Sequence, residues 1–129
     1  MVVLEITLYQ ALGGEAELKK IVDAFYKVMS EAPEAEGILK IHPDLPRANQ
    51  KLFEFLSGWL GGPDLFVQKY GHPRLRARHL PFSIGTSERD QWLFCMTRAL
   101  EICQTPPEFN SMFMSALSRL ADHMRNQSE

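Results

Sequence analysis

GHPRLRARHLPFSIGTSERDQWLFCM, residues 71–96, is the stretch on which the reading of this chain turns. It sets one histidine, His79, beside Leu80, Phe82 and Ile84, with Arg74, Arg76 and Arg78 on the preceding side. A helix with an inward tryptophan, Trp92, follows almost at once. A lone histidine in apolar surroundings is a poor proton shuttle but a good axial ligand for a haem iron. The neutral imidazole binds the metal and the apolar shell excludes water. On pattern alone the plainer reading, a satisfied structural histidine, stays open.

Working outward, the chain reads as helices separated by glycine and proline. From Glu15 to Ser30, Leu18, Ile21, Val22, Phe25 and Met29 fall on one face of an amphipathic helix, with Gly13-Gly14 before it and Pro33 after it. A short helical piece from Glu34 to Ile41 leads to His42-Pro43, and a helix from Arg47 to Leu60 stops at Gly61-Gly62-Pro63. Between Asp64 and Ile84 two prolines limit any helix to a few turns. Ser87 opens the next helix, with Asp90 three residues on and Trp92, Met96, Ala99, Leu100 and Cys103 inward. The last helix is expected to start with Thr105 as N-cap, Pro106 in its first turn and Glu108 closing a capping box. Its stripe is Phe109, Met112, Phe113, Ala116, Leu117, Leu120 and Met124, and the tail after Arg125 is expected to fray. No segment alternates with period two. The expectation is a single all-α domain.

Composition sets the outer limits. A chain of 129 residues that is 45% hydrophobic can bury one real core. A formal charge of −2 gives no reason to expect a nucleic-acid or anionic-membrane partner. The opening MVVLEITLYQ lacks a secretory pattern, and no apolar run approaches the ~20 residues of a membrane span, so a cytoplasmic protein is expected. Cys95 and Cys103 lie on one helix, about 12 Å apart at 1.5 Å per residue, too far for a disulfide. No GxSxG, HExxH, P-loop or GxGxxG is present.

Two features ask for more than a plain bundle. The segment from Gly61 to Gly85 is long for a bundle connection, yet carries Leu65, Phe66, Val67, Leu75, Leu80, Phe82 and Ile84. The core is also rich in Phe and Met, which suit an irregular pocket. Both permit a planar cofactor without requiring one. His72 before Pro73 reads as a residue fixing a turn, His123 as solvated, and Tyr26 and Trp92 as ordinary core aromatics.

From about Tyr9 to about Leu120 the chain resembles the group II truncated haemoglobins. YQALGG, the Phe25-Tyr26 pair, GGP after the third long stretch, GHPRLRARHLPF and ERDQWL carry the resemblance. It implies a shortened globin-like fold over residues 1–129, with a core of about 9–125: a two-over-two helical sandwich enclosing haem b. By position, the resemblance makes His79 the proximal iron ligand, bound through Nε2 while its other ring nitrogen donates to a backbone carbonyl. Tyr26 and Trp92 become distal donors. His42 matches a variable polar or aromatic position, and doubles as a candidate sixth ligand if its segment moves inward. Ala48 and Leu52 face the haem from the distal helix, and the small Ala48 offers no distal histidine there. Lys51 and Arg78 become propionate partners, and Leu56, Phe66, Phe82 and Met96 complete the surroundings.

Donors aimed at dioxygen, which gains negative charge when bound, contribute about 1.5–3 kcal/mol each. Three of them imply slow release, better suited to redox chemistry with oxygen, nitric oxide or peroxide than to bulk transport. Nitric oxide dioxygenase or peroxidase-like turnover needs electrons from a separate reductase, since the chain carries no flavin or nicotinamide motif. The other reading is a cofactor-free helical interaction module in which His79, Tyr26 and Trp92 are core. A visible spectrum separates the two.

Overall fold

The computed structural model describes residues 6–127. Residues 1–5, half of the opening segment read as lacking a secretory pattern, and residues 128–129 of the tail lie outside the described residues. The described residues form eight α-helices and one 3-10 turn, with no strand among them.

Helix α1 (Leu8–Leu12) begins with a reciprocal cap: Gln10 N–H donates to Thr7 Oγ1 at 3.1 Å, and Thr7 N–H to Gln10 Oε1 at 3.0 Å. Gly13 and Gly14 then reverse the chain at φ 118° and 88°, angles that disfavour any side chain. Helix α2 (Glu15–Glu31) buries Leu18, Ile21, Val22, Phe25 and Met29 completely, the face that periodicity predicts. The 3-10 turn Pro33–Ala35 joins it to α3 (Glu36–Lys40). Helix α4 (Leu45–Trp59) starts two residues earlier than the apolar pattern suggests. Asp44 caps Arg47 N–H, and Pro46 occupies the first turn, where no backbone donor is needed. Two short helices follow, α5 (Leu65–Tyr70) and α6 (Leu75–His79).

The last two long helices start elsewhere than expected. Helix α7 (Thr86–Cys103) begins one residue before Ser87, and it is Glu88, not Asp90, that reaches back to cap Gly85 N–H at 2.6 Å. Helix α8 (Pro107–His123) has Pro106, not Thr105, as its N-cap, and Glu108 closes no box. The reason is local: a residue before proline is pushed out of the helical region, so Pro107 holds Pro106 extended at ψ 136°. Thr105 instead donates through Oγ1 to the Leu100 carbonyl. Met112, assigned to the inward stripe, is 60% exposed. Cys95 is fully buried, Cys103 partly so, and both are free thiols.

Helix α2 packs on both α4 and α7, and α7 packs on α8, with Phe25, Leu56, Met96, Phe113 and Leu117 in the shared core. Helix α3 is held close to α7 at Gly37, where a Cβ would stand 2.9 Å from the Gln91 amide. There Ile38 N–H donates to Gln91 Oε1 at 2.8 Å. The tail does not fray at once. Asn126 and Gln127 N–H both donate to the Ile84 carbonyl, at 2.8 and 3.1 Å, which ties the segment to the loop before α7. No helix among the described residues is long and apolar enough to cross a membrane.

Candidate functional site

A cavity of about 650 Å³, lined mostly by apolar side chains, lies between α2, α4, α7 and α8 on one part and α5, α6 and the loop to α7 on the other. It is large enough for a planar cofactor. Tyr26, His42, Ala48, Lys51, Leu52, Leu56, Phe66, Arg78, His79, Phe82 and Trp92 all line it. Met96 is the exception among the residues singled out: it is fully buried in the core and does not reach the wall. Periodicity placed it inward correctly but could not say whether inward meant core or cavity.

His79 ends α6, and its Nδ1 stands 2.5 Å from the Leu75 carbonyl one turn back. A carbonyl only accepts, so Nδ1 carries the proton and a neutral ring leaves Nε2 with a free lone pair. His42, just beyond α3, repeats the device: its Nδ1 donates to the Ile38 carbonyl at 2.8 Å. Burial lowers the His42 pKa and outweighs the Ile38 hydrogen bond that opposes it, so the neutral ring is favoured. Two histidines from distant parts of the chain thus present bare Nε2 atoms along one cavity.

Tyr26 stands on the inward face of α2 because it neighbours Phe25, and the two rings meet edge to face at 4.8 Å. Phe25 meets Trp92 of α7 in the same way at 5.0 Å. The Tyr26 hydroxyl donates to the Ala48 carbonyl of α4 at 3.2 Å, and burial pushes its pKa well above the ordinary tyrosine value. It stays a protonated donor across the physiological range. The Tyr26 and His42 rings lie 6.1 Å apart.

Several wall residues carried no local signal. Phe55, Ile84, Leu117 and Leu120 were legible as apolar, but only the packing brings them to one cavity. Arg47 and Arg89 join Lys51 and Arg78 as cations lining it. Arg89 is engaged by Asp90 and by Asp122 at 2.6 Å, whereas Lys51 and Arg78 take part in no ion pair among the described residues. Lys51 lies over the Tyr70 ring and Arg78 over the Phe66 ring, each at 5.4 Å. His72 Nδ1 accepts from Arg74 N–H at 3.1 Å and so fixes its turn, and His123 is exposed.

The donor set fits haem. Among the described residues no three His, Cys, Asp or Glu side chains converge to hold a bare metal ion. Imidazole nitrogens in an apolar cavity, with Lys51 and Arg78 along its wall in no ion pair among the described residues, suit an iron already held in a planar dianionic macrocycle.

A family model for bacterial-like globins matches residues 7–126. The cold-adapted truncated haemoglobin of the Antarctic marine bacterium Pseudoalteromonas haloplanktis TAC125 is 46% identical, with a TM-score of 0.91 over 95% of this chain and 99% of that one. The group II 2-on-2 haemoglobin of Agrobacterium tumefaciens is 40% identical, with a TM-score of 0.93 over 99% of this chain and 100% of that one. A truncated haemoglobin of Bacillus subtilis, described as oxygen-avid, is 38% identical, with a TM-score of 0.85 over 94% and 100%. The chain belongs to the bacterial-like globins, as a group II truncated haemoglobin with the two-over-two fold, and its cofactor is haem.

Proposed function

We propose that this globin binds dioxygen at an iron ligated by His79 and releases it slowly, as suits redox chemistry with oxygen, nitric oxide or peroxide. The carrying observation is one cavity that gathers a His79 ring locked with its Nε2 bare and two aromatic donors from separate helices, Tyr26 and Trp92. Haem supplies an iron with an open position for a diatomic ligand. The side chains do the rest. His79 would hold the proximal side, its ring oriented by the hydrogen bond to the Leu75 carbonyl. Lys51 and Arg78 hold the propionates. Tyr26, whose hydroxyl donates to the Ala48 carbonyl at 3.2 Å, would turn that donor to the ligand, and Trp92 would add its indole N–H from α7. The relative from Bacillus subtilis described as oxygen-avid supports slow release. No helix spans a membrane among the described residues, and the proposed location is the cytoplasm, with electrons drawn from a separate reductase.

The geometry also favours a particular role for His42. With Nδ1–H committed to the Ile38 carbonyl and the ring neutral, Nε2 accepts rather than donates. With haem bound, His42 would therefore offer Nε2 to the iron in the ligand-free protein, or accept from Tyr26 or a protonated ligand, and would not be a third donor to dioxygen. Resonance Raman of the ferrous, oxygen-free protein decides: six-coordinate signals that vanish in His42→Phe support ligation, and a purely five-coordinate iron excludes it. The function itself is tested by the visible spectrum and by stopped-flow displacement of oxygen with carbon monoxide. Rapid release, with no slow phase, overturns the redox reading.

A further inference from the structure

The helix that carries His79 faces the cavity and takes no part in the protein's own buried core. No residue of α6 is buried, and Leu80 and Phe82 just beyond it are 58% and 39% exposed. What holds this segment is polar and comes from the chain's far end. Asn126 Nδ2 donates to the carbonyls of His79 and Phe82, at 3.2 and 2.7 Å, and Asn126 Oδ1 accepts from Ile84 N–H at 2.9 Å. The backbone N–H groups of Asn126 and Gln127 close on the Ile84 carbonyl. One amide side chain thereby uses both its donors and its acceptor on three backbone groups spread over residues 79–84. At the other end of α6, Arg76 Nη1 donates to the carbonyls of His123 at 2.9 Å and Arg125 at 3.4 Å. The stretch from His123 to Gln127 is a strap laid along the whole proximal segment.

We propose that Asn126 is a positioning residue for the proximal histidine: it fixes where the His79 ring stands and so how long the haem is retained. The proposal rests on His79 being the iron ligand. Its logic is geometric. The His79 carbonyl is two bonds from the Cα that bears the imidazole, so a hydrogen bond there restrains the ring's base. The Phe82 and Ile84 groups restrain the loop that would otherwise let α6 swing away from the cavity.

The test uses the haem-loaded protein. Asn126→Ala should raise the rate of haem transfer to excess apomyoglobin by about tenfold, the scale set by losing hydrogen bonds to backbone carbonyls. It should also shift or broaden the iron–histidine stretch in the Raman spectrum of the ferrous protein, and speed hydrogen exchange at the Ile84 amide. Asn126→Asp keeps the acceptor for Ile84 N–H but loses both donors, so it should protect that amide and still release haem faster. Gln127→Ala keeps the backbone donor to Ile84 and loses only its exposed side-chain hydrogen bond to Asn126 Oδ1, so haem loss should stay within about twofold of wild type. If Asn126→Ala does not fold, Arg76→Ala loosens the same strap from the other end and should move haem loss in the same direction. In a His42→Phe background, where no second histidine reaches the iron, an absent iron–histidine band, or one unaltered by His79→Ala, defeats the ligand assignment. A band present in the wild type and unmoved in Asn126→Ala, with haem loss within about twofold, defeats the strap alone.

Discussion

The two walls of the cavity are built on different physics. The distal wall is made by packing: Phe25, Met29 and Met96 are fully buried where α2 meets α7, and Phe25 wedges its ring against both Tyr26 and Trp92. The proximal wall, α6, buries none of its residues in the protein's own core: Asn126 donates to its His79 carbonyl, and its own Arg76 donates to the carbonyls of His123 and Arg125. A packed wall has its geometry set before any ligand arrives, because a close-packed core resists small displacements. A strapped wall is fixed only as well as a few exchangeable bonds allow. On the roles proposed above, Tyr26 and Trp92 are preorganised and His79 is the adjustable partner.

The largest expected effect is on the proximal side. His79→Ala should abolish tight haem binding while leaving a helical apoprotein, because the core lies elsewhere; absorbance in the Soret region and far-ultraviolet circular dichroism check both halves. Full haem content with an unchanged spectrum would remove the ligand from this wall. Next comes the distal packing. Phe25→Ala should cost about 3–5 kcal/mol of stability, read by chemical denaturation, since it empties a site in contact with both donors. A loss below about 1 kcal/mol would mean the wall is looser than its burial implies.

The donors come third. Trp92→Phe and Tyr26→Phe keep an aromatic ring and delete the donor, so each should speed oxygen release by about tenfold. The double variant should be faster than either, though short of the product because the two donors share one ligand. Unchanged rates in all three would separate the distal wall from ligand retention altogether.

The smallest effect lies behind the distal helix. Glu54 of α4 is buried and accepts from Lys69 of α5 at 3.2 Å. Burial alone would raise its pKa, but the Lys69 hydrogen bond, with Gln50, the Lys69 charge and Tyr70 adding to it, outweighs burial and the net shift is downward. A carboxylate with a depressed folded pKa stabilises above its unfolded value, near 4.5, and that contribution fades as pH falls through the folded value. Glu54→Gln should therefore destabilise modestly at pH 7, by about 1 kcal/mol given the exposed lysine, and converge on wild type in acid. A gap that persisted below the folded value would assign the effect to packing instead.

Much of this was legible along the chain. Gly13-Gly14 and Gly61 mark the turns because their φ values, 118°, 88° and 94°, exclude most side chains, and the α2 face followed from spacing alone. The start of α8 was misread because a capping pattern at Thr105 was weighed without the restriction that Pro107 imposes on Pro106. The proximal strap was illegible for a different reason. Asn126 acts on groups more than forty residues away, and nothing in a polar tail announces its partners. The resemblance supplied the candidate ligand and donors; only the packing brings Arg47 and Arg89 to the same cavity.

The contact at Gly37 has an evolutionary consequence. Gly37 and Gln91 lie outside the cavity, yet they join the segment that ends at His42 to the helix that carries Trp92. A methyl group at position 37 would meet only the end of a flexible side chain, so the fold would tolerate it. The displaced Gln91 amide would, however, give up Ile38 N–H and let α3 drift relative to α7. A descendant of this sequence can thus shift the segment that carries Ile38 and His42 by a single substitution at a position that does not itself line the cavity. Comparing lineages by pocket residues alone would overlook that change.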